Sequence, residues 1–74
     1  MSNLQHKSAN DYYPSDIKFK VLPNKIYLLT WLQHGSSKQK LLNKSKAFAL
    51  VNDMNTDKRL RDEVLTAFEA GAIQ

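Results

Sequence analysis

The sequence predicts an α+β fold, a three-stranded antiparallel β-meander packed against two C-terminal helices. Three observations predict it. Residues 16–22 alternate between apolar and charged side chains with period 2. Residues 25–33 form an uninterrupted, largely apolar run bracketed by turn signals. From residue 45 onward the apolar spacing becomes helical. The competing reading is a small all-α three-helix domain with residues 25–33 and 37–54 as helices, because short leucine-containing runs are ambiguous by periodicity.

The first strand is read from Ile17, Phe19 and Val21 on one side and Lys18 and Lys20 on the other. Pro23-Asn24 then breaks the ladder, since proline lacks the amide donor and asparagine tolerates a left-handed backbone. Residues 25–33 follow as a central strand, with Ile, Tyr, Thr and Trp favouring extended backbone. A turn over 34–37 with Gly35 at positive φ leads to a shorter edge strand over 38–43, where Lys38 and Lys40 oppose further pairing. The first helix is expected over 45–54, capped by Asn43 or Ser45, with Ala47, Leu50, Val51 and Met54 on one face. Thr56 caps the second, whose apolar face is Leu60, Val64, Ala67 and Phe68. Gly71 stops it and Ile73 folds back as the contact after the stop. Lys58–Asp62 and Arg59–Glu63 have ion-pair spacing on its outer side.

Seventy-four residues allow one small domain, assigned to 16–74, with 1–15 as a flexible polar tail lacking the apolar stretch of a secretory signal. Tyr12 and Tyr13 at the end of that tail either cover a core edge or meet a partner. No apolar run approaches the length of a membrane span. The chain has no cysteine, which removes disulfides and thiolate metal sites and fits a reducing cytoplasm.

Catalysis is not expected. His34 beside Ser36 and Ser37 offers a base and a nucleophile, but turn neighbours do not present triad geometry and no acid orients the ring. No histidine pair has metal-ligand spacing. With Gly35 and Gly71 as the only glycines there is no phosphate-cradling loop, so no metal or cofactor is expected.

The remaining signal is charge. Residues 17–52 carry seven lysines and no carboxylate, whereas 53–74 carry five carboxylates against three cations. Such a one-sided field favours a polyanion or an acidic protein surface. Placing Ile17, Phe19, Val21, Ile26, Leu28 and Leu32 toward the helices leaves Lys18, Lys20, Leu22, Lys25, Tyr27, Leu29 and Trp31 on the opposite face, with Lys38 and Lys40 extending it. Lysines interleaved with Tyr27 and Trp31 suit a phosphate backbone and stacked bases. The favoured partner is therefore nucleic acid, contacted by Lys18, Lys20, Lys25, Tyr27, Trp31, Lys38 and Lys40. The alternative is an inhibitor or adaptor that docks on an acidic protein surface with Trp31 as its anchor. A homodimer through Tyr27, Leu29 and Trp31 is a further way to cover that face.

The run Lys-Ile-Tyr-Leu-Leu-Thr-Trp-Leu, the glycine turn, the lysine-rich strand and the segment from Leu42 to Ala49 together resemble the three-stranded-sheet-plus-helix arm-binding domain of phage-type tyrosine recombinases. The resemblance spans residues 17–55. It implies a sheet that docks into a DNA groove with a helix packed behind it, in a stand-alone relative from a phage or mobile element. This chain departs from that pattern in lacking the arginines common on such surfaces, and no catalytic domain follows the module.

Overall fold

A computed structural model describes residues 12–74. Of the expected tail over residues 1–15, residues 1–11 lie outside the described residues, while Pro14 is buried and Ser15 begins β1. The order is β1 (Ser15–Leu22), a 3₁₀ turn (Pro23–Lys25), β2 (Ile26–Gln33), β3 (Ser36–Leu42), α1 (Lys44–Val51) and α2 (Lys58–Glu69). The three strands form one antiparallel sheet in the order β1-β2-β3. The α+β meander is therefore the fold, and the all-α alternative is not.

The turns follow local chemistry. His34 and Gly35 take φ of 55° and 72°, as a two-residue turn matched to strand twist requires at both central positions. The β1–β2 connection holds three residues rather than two. Pro23 opens it, and Asn24 and Lys25 both sit at left-handed φ, 65° and 60°. Asparagine tolerates that backbone; Lys25 does so at a cost of about 1 kcal/mol. Near its start β1 carries a bulge in which Asp16 and Ile17 together oppose Trp31, with Asp16 at φ 51° supplying the irregular backbone.

The helices are capped by short side chains. Asn43 accepts the Lys46 amide at 2.8 Å at the start of α1, and Asp57 accepts the Arg59 amide at 2.8 Å at the start of α2. Asp57, one residue beyond the expected Thr56, is thus the second cap. Lys58 pairs with Asp62 at 3.8 Å as its spacing predicts. Arg59 turns away from the Glu63 spacing and pairs with Asp57 at 3.7 Å, while its guanidinium lies 4.4 Å over the Tyr13 ring. Gly71 takes φ 79° after α2, and the chain then returns Ile73 to the core.

Both helices cover the same face of the sheet. α2 packs on β1, and α1 packs on β3 and α2. The core between the layers is Tyr27, Leu29 and Leu42 from the sheet, Ala47 and Leu50 from α1, and Leu60, Val64 and Ala67 from α2, closed by Ile73. Ile17, Phe19, Trp31, Val51 and Phe68 pack on its margin. The Phe19 and Tyr27 rings stack at 5.5 Å across the strand pair. The Gln74 amide donates to Tyr27 Oη at 3.1 Å, tying the chain end to the middle of the sheet. No helix among the described residues is long and apolar enough to cross a membrane.

This packing corrects the expected orientation of β2. Its odd positions build the core, with Tyr27 2% and Leu29 0% exposed, and its even positions lie on the face without helices. The cause is the three-residue connection. With Leu22 opposite Ile26, Val21 faces Tyr27 and Phe19 faces Leu29, so odd meets odd. A two-residue Pro-Asn turn would pair odd with even, and a one-residue change of register reverses every side chain.

Candidate nucleic-acid or protein interface

The face without helices can be built row by row, because directly opposite residues in an antiparallel pair project to the same side. Lys18, Thr30 and Gln39 form one row, and Lys20, Leu28 and Leu41 the next. Leu22 and Ile26 close the end beside the 3₁₀ turn, and Leu32 and Ser37 close the other. The result is an aliphatic surface of Leu22, Ile26, Leu28, Leu32 and Leu41. Leu32 is 42% and Leu41 56% exposed, and Leu22, Ile26 and Leu28 are half-buried.

The charge on this face lies to one side. Lys18 and Lys20 stand along β1, whereas the β3 side carries Ser37, Gln39 and Leu41 with no charge. Asp16, at the end of β1, is paired with Lys18 at 3.8 Å, an exposed contact worth little energetically. A depression of ≈ 400 Å³ at this end of the sheet is lined by Asp16, Lys18, Thr30, Trp31, Leu32, Ser37, Lys38 and Gln39, so three of the expected contact residues, Lys18, Trp31 and Lys38, border it together.

The expected contact set therefore divides in three. Lys18 and Lys20 are on the open face. Lys25 is exposed in the 3₁₀ turn. Tyr27, Trp31, Lys38 and Lys40 belong to the face that the helices cover, since Trp31 opposes Lys38, Leu29 opposes Lys40 and Tyr27 opposes Leu42. Lys40 and Lys46 flank a second depression of ≈ 340 Å³ beside Leu50, Asp53 and Thr56. The lysines of β1 and those of β3 thus point to opposite sides of one sheet. A single basic surface holding all seven residues does not form.

The aromatic groups are also accounted for internally. Tyr27 is buried, and its oxygen already accepts from Gln74. Trp31 is half-buried against the core, and its indole N–H donates to Gln33 Oε1 at 3.0 Å. Gln33 Nε2 in turn donates to the Tyr12 carbonyl at 3.2 Å. Tyr12 meets Tyr13 edge-on at 5.1 Å and His34 at 6.1 Å, and Pro14 beside them is buried. Tyr12 and Tyr13 fold back beside His34 and Arg59 but remain exposed. The Tyr27/Leu29/Trp31 face is the one that the chain's own helices cover.

The residues that sequence reasoning misses are Ile26, Leu28 and Leu32, expected in the core, together with Leu41. Their apolar character concealed them, and the length of the β1–β2 connection is the signal that exposes them. Among the described residues, no group of three His, Cys, Asp or Glu side chains is placed to hold a metal ion. His34 sits in the turn against the Tyr12 ring. No protein-family model, curated protein or solved structure matches the chain.

Proposed function

We propose that this protein is a non-catalytic protein-binding module, an inhibitor or adaptor, that docks on an acidic partner through the open face of its sheet. One observation carries the reading: the face that the helices leave bare holds five aliphatic side chains bordered by Lys18 and Lys20. An apolar centre with a charged border is the anatomy of a protein–protein interface. A lysine-bordered apolar face discriminates for a partner with carboxylates around an apolar centre, and the charges add association rate and orientation.

Nucleic acid suits the same face less well. Tyr27 and Trp31, the groups that would stack on bases, are held in and against the core. Aliphatic side chains find only thymine methyl groups in a duplex groove, and the phosphate-facing lysines are divided between two sides.

A photo-crosslinking residue at Leu41 in the full chain tests the proposal, with the same residue at Phe48, a 63% exposed position on α1, as the reference. Leu41 is expected to capture a defined protein that Phe48 does not, and Leu28→Lys is expected to abolish the capture. Nucleic acid captured from Leu41, or equal capture from both positions, would overturn the reading. Leu28→Lys separates the two partner classes by sign, since it weakens apolar protein docking and adds a cation for phosphate.

A further inference from the structure

Resting on that docking reading, we infer that the partner element seated on the open face is an amphipathic α-helix with an acidic stripe along one flank only, lying along β2. The dimensions match. Three strands spaced about 4.8 Å apart present a face about 10 Å across, the diameter of one helix with its side chains. β2 has eight residues, a length of about 26 Å, which corresponds to about 17 residues of helix.

The pattern across the face sets the pattern on the helix. Ile26, Leu28 and Leu32 run down the centre with Thr30 between them, so the helix needs leucine-like side chains at i, i+3/i+4 and i+7. Lys18 and Lys20 lie on the β1 side alone, and the β3 side is neutral. Acidic residues therefore belong on the flank that overlies β1. The other side of the sheet already accepts helices in this way, so the partner completes a helix–sheet–helix sandwich.

Other occupants fit worse. Strand addition at β3 is opposed by Lys38 and Lys40, whose side chains project to the helix-covered side of that edge. At β1 it is opposed by the bulge at Asp16–Ile17. A second copy docked face to face with β1 over β1 would bring two sets of Lys18 and Lys20 together, and one docked with β1 over β3 would leave those lysines over a strand side without carboxylates.

The test uses an 18-residue helical peptide with a leucine stripe and glutamates on one flank, its counterpart with lysines in place of the glutamates, and an 18-base-pair duplex. Each is titrated into the ¹⁵N-labelled full chain. The acidic peptide is expected to bind at least about tenfold more tightly than the lysine peptide, with shifts centred on Lys20, Leu28, Thr30 and Leu41. Leu28→Lys weakens it about tenfold or more, and Leu41→Lys, at a more exposed position, serves if the first variant is unfolded. Lys18→Glu with Lys20→Glu reverses the preference between the peptides. Equal binding of the two peptides, shifts confined to the helix layer, or preference for the duplex would overturn the inference. If the acidic peptide fails while Leu28→Lys still abolishes capture at Leu41, the helix is wrong and the docking face stands. If capture survives Leu28→Lys, the docking face itself falls.

Discussion

The two sides of β2 differ in what their side chains touch, although both are apolar. On the odd side, Tyr27 and Leu29 are enclosed by Phe19, Leu42 and both helices, and even the phenolic oxygen has a partner. On the even side, Ile26 and Leu28 are half-buried and Leu32 remains substantially exposed. Equal hydrophobicity along one strand therefore serves two ends. One side stabilises the fold, and the other leaves apolar area uncovered at a loss of about 25 cal/mol per Å² that a partner can recover. A solvated bare face on such a sheet is ordinarily polar throughout, whereas here Lys18, Lys20, Thr30, Ser37 and Gln39 share it with Leu22, Ile26, Leu28, Leu32 and Leu41.

The sharpest way to break that contrast is to change the parity that creates it. Deleting Lys25 shortens the β1–β2 connection to two residues and pairs Phe19 with the wrong side of β2. The expected outcome is loss of cooperative unfolding in circular dichroism; a native-like melt would show that the connection length does not set the faces.

A truncation pair comes next in size. Leu29→Ala should destabilise by about 2–5 kcal/mol, as a buried leucine does, whereas Leu32→Ala should cost less than about 1 kcal/mol at its exposed position. Urea denaturation of the two variants measures the difference, and equal losses would erase the distinction between the sides. Smaller again is Tyr27→Phe, which removes the acceptor of the Gln74 amide and should cost about 0.5–1.5 kcal/mol. The smallest effect has the opposite sign. Lys25→Gly relieves a left-handed backbone at φ 60° and should stabilise by less than about 1 kcal/mol, because glycine's greater freedom in the unfolded chain offsets part of the relief.

Much of this fold was legible in the residues themselves. Alternation of Ile17, Phe19 and Val21 with Lys18 and Lys20 marked β1. The Asn43 cap and the Leu60–Val64–Ala67 stripe marked the helices, and Gly71 marked the stop before Ile73 returns to the core. The handedness of β2 was not legible, for a specific physical reason. A strand apolar on both sides carries no alternation of its own, so its orientation is inherited from the connection before it. A two-residue Pro23-Asn24 turn and the three-residue Pro23-Asn24-Lys25 connection give β2 opposite orientations. Lys25 in a left-handed conformation is an improbable turn residue by type, so residue types alone point to a two-residue turn. The candidate site inverts with the strand: Lys18 and Lys20 stand on the bare face as expected, with Leu28 and Leu32 there in place of Tyr27 and Trp31.

The division of labour between the two sides of β2 is tested most directly by capture from the crosslinker at Leu41 in a chain carrying Leu28→Lys. The account predicts a chain with an unchanged far-ultraviolet spectrum that no longer captures the protein partner. Undiminished capture by that folded variant would contradict it.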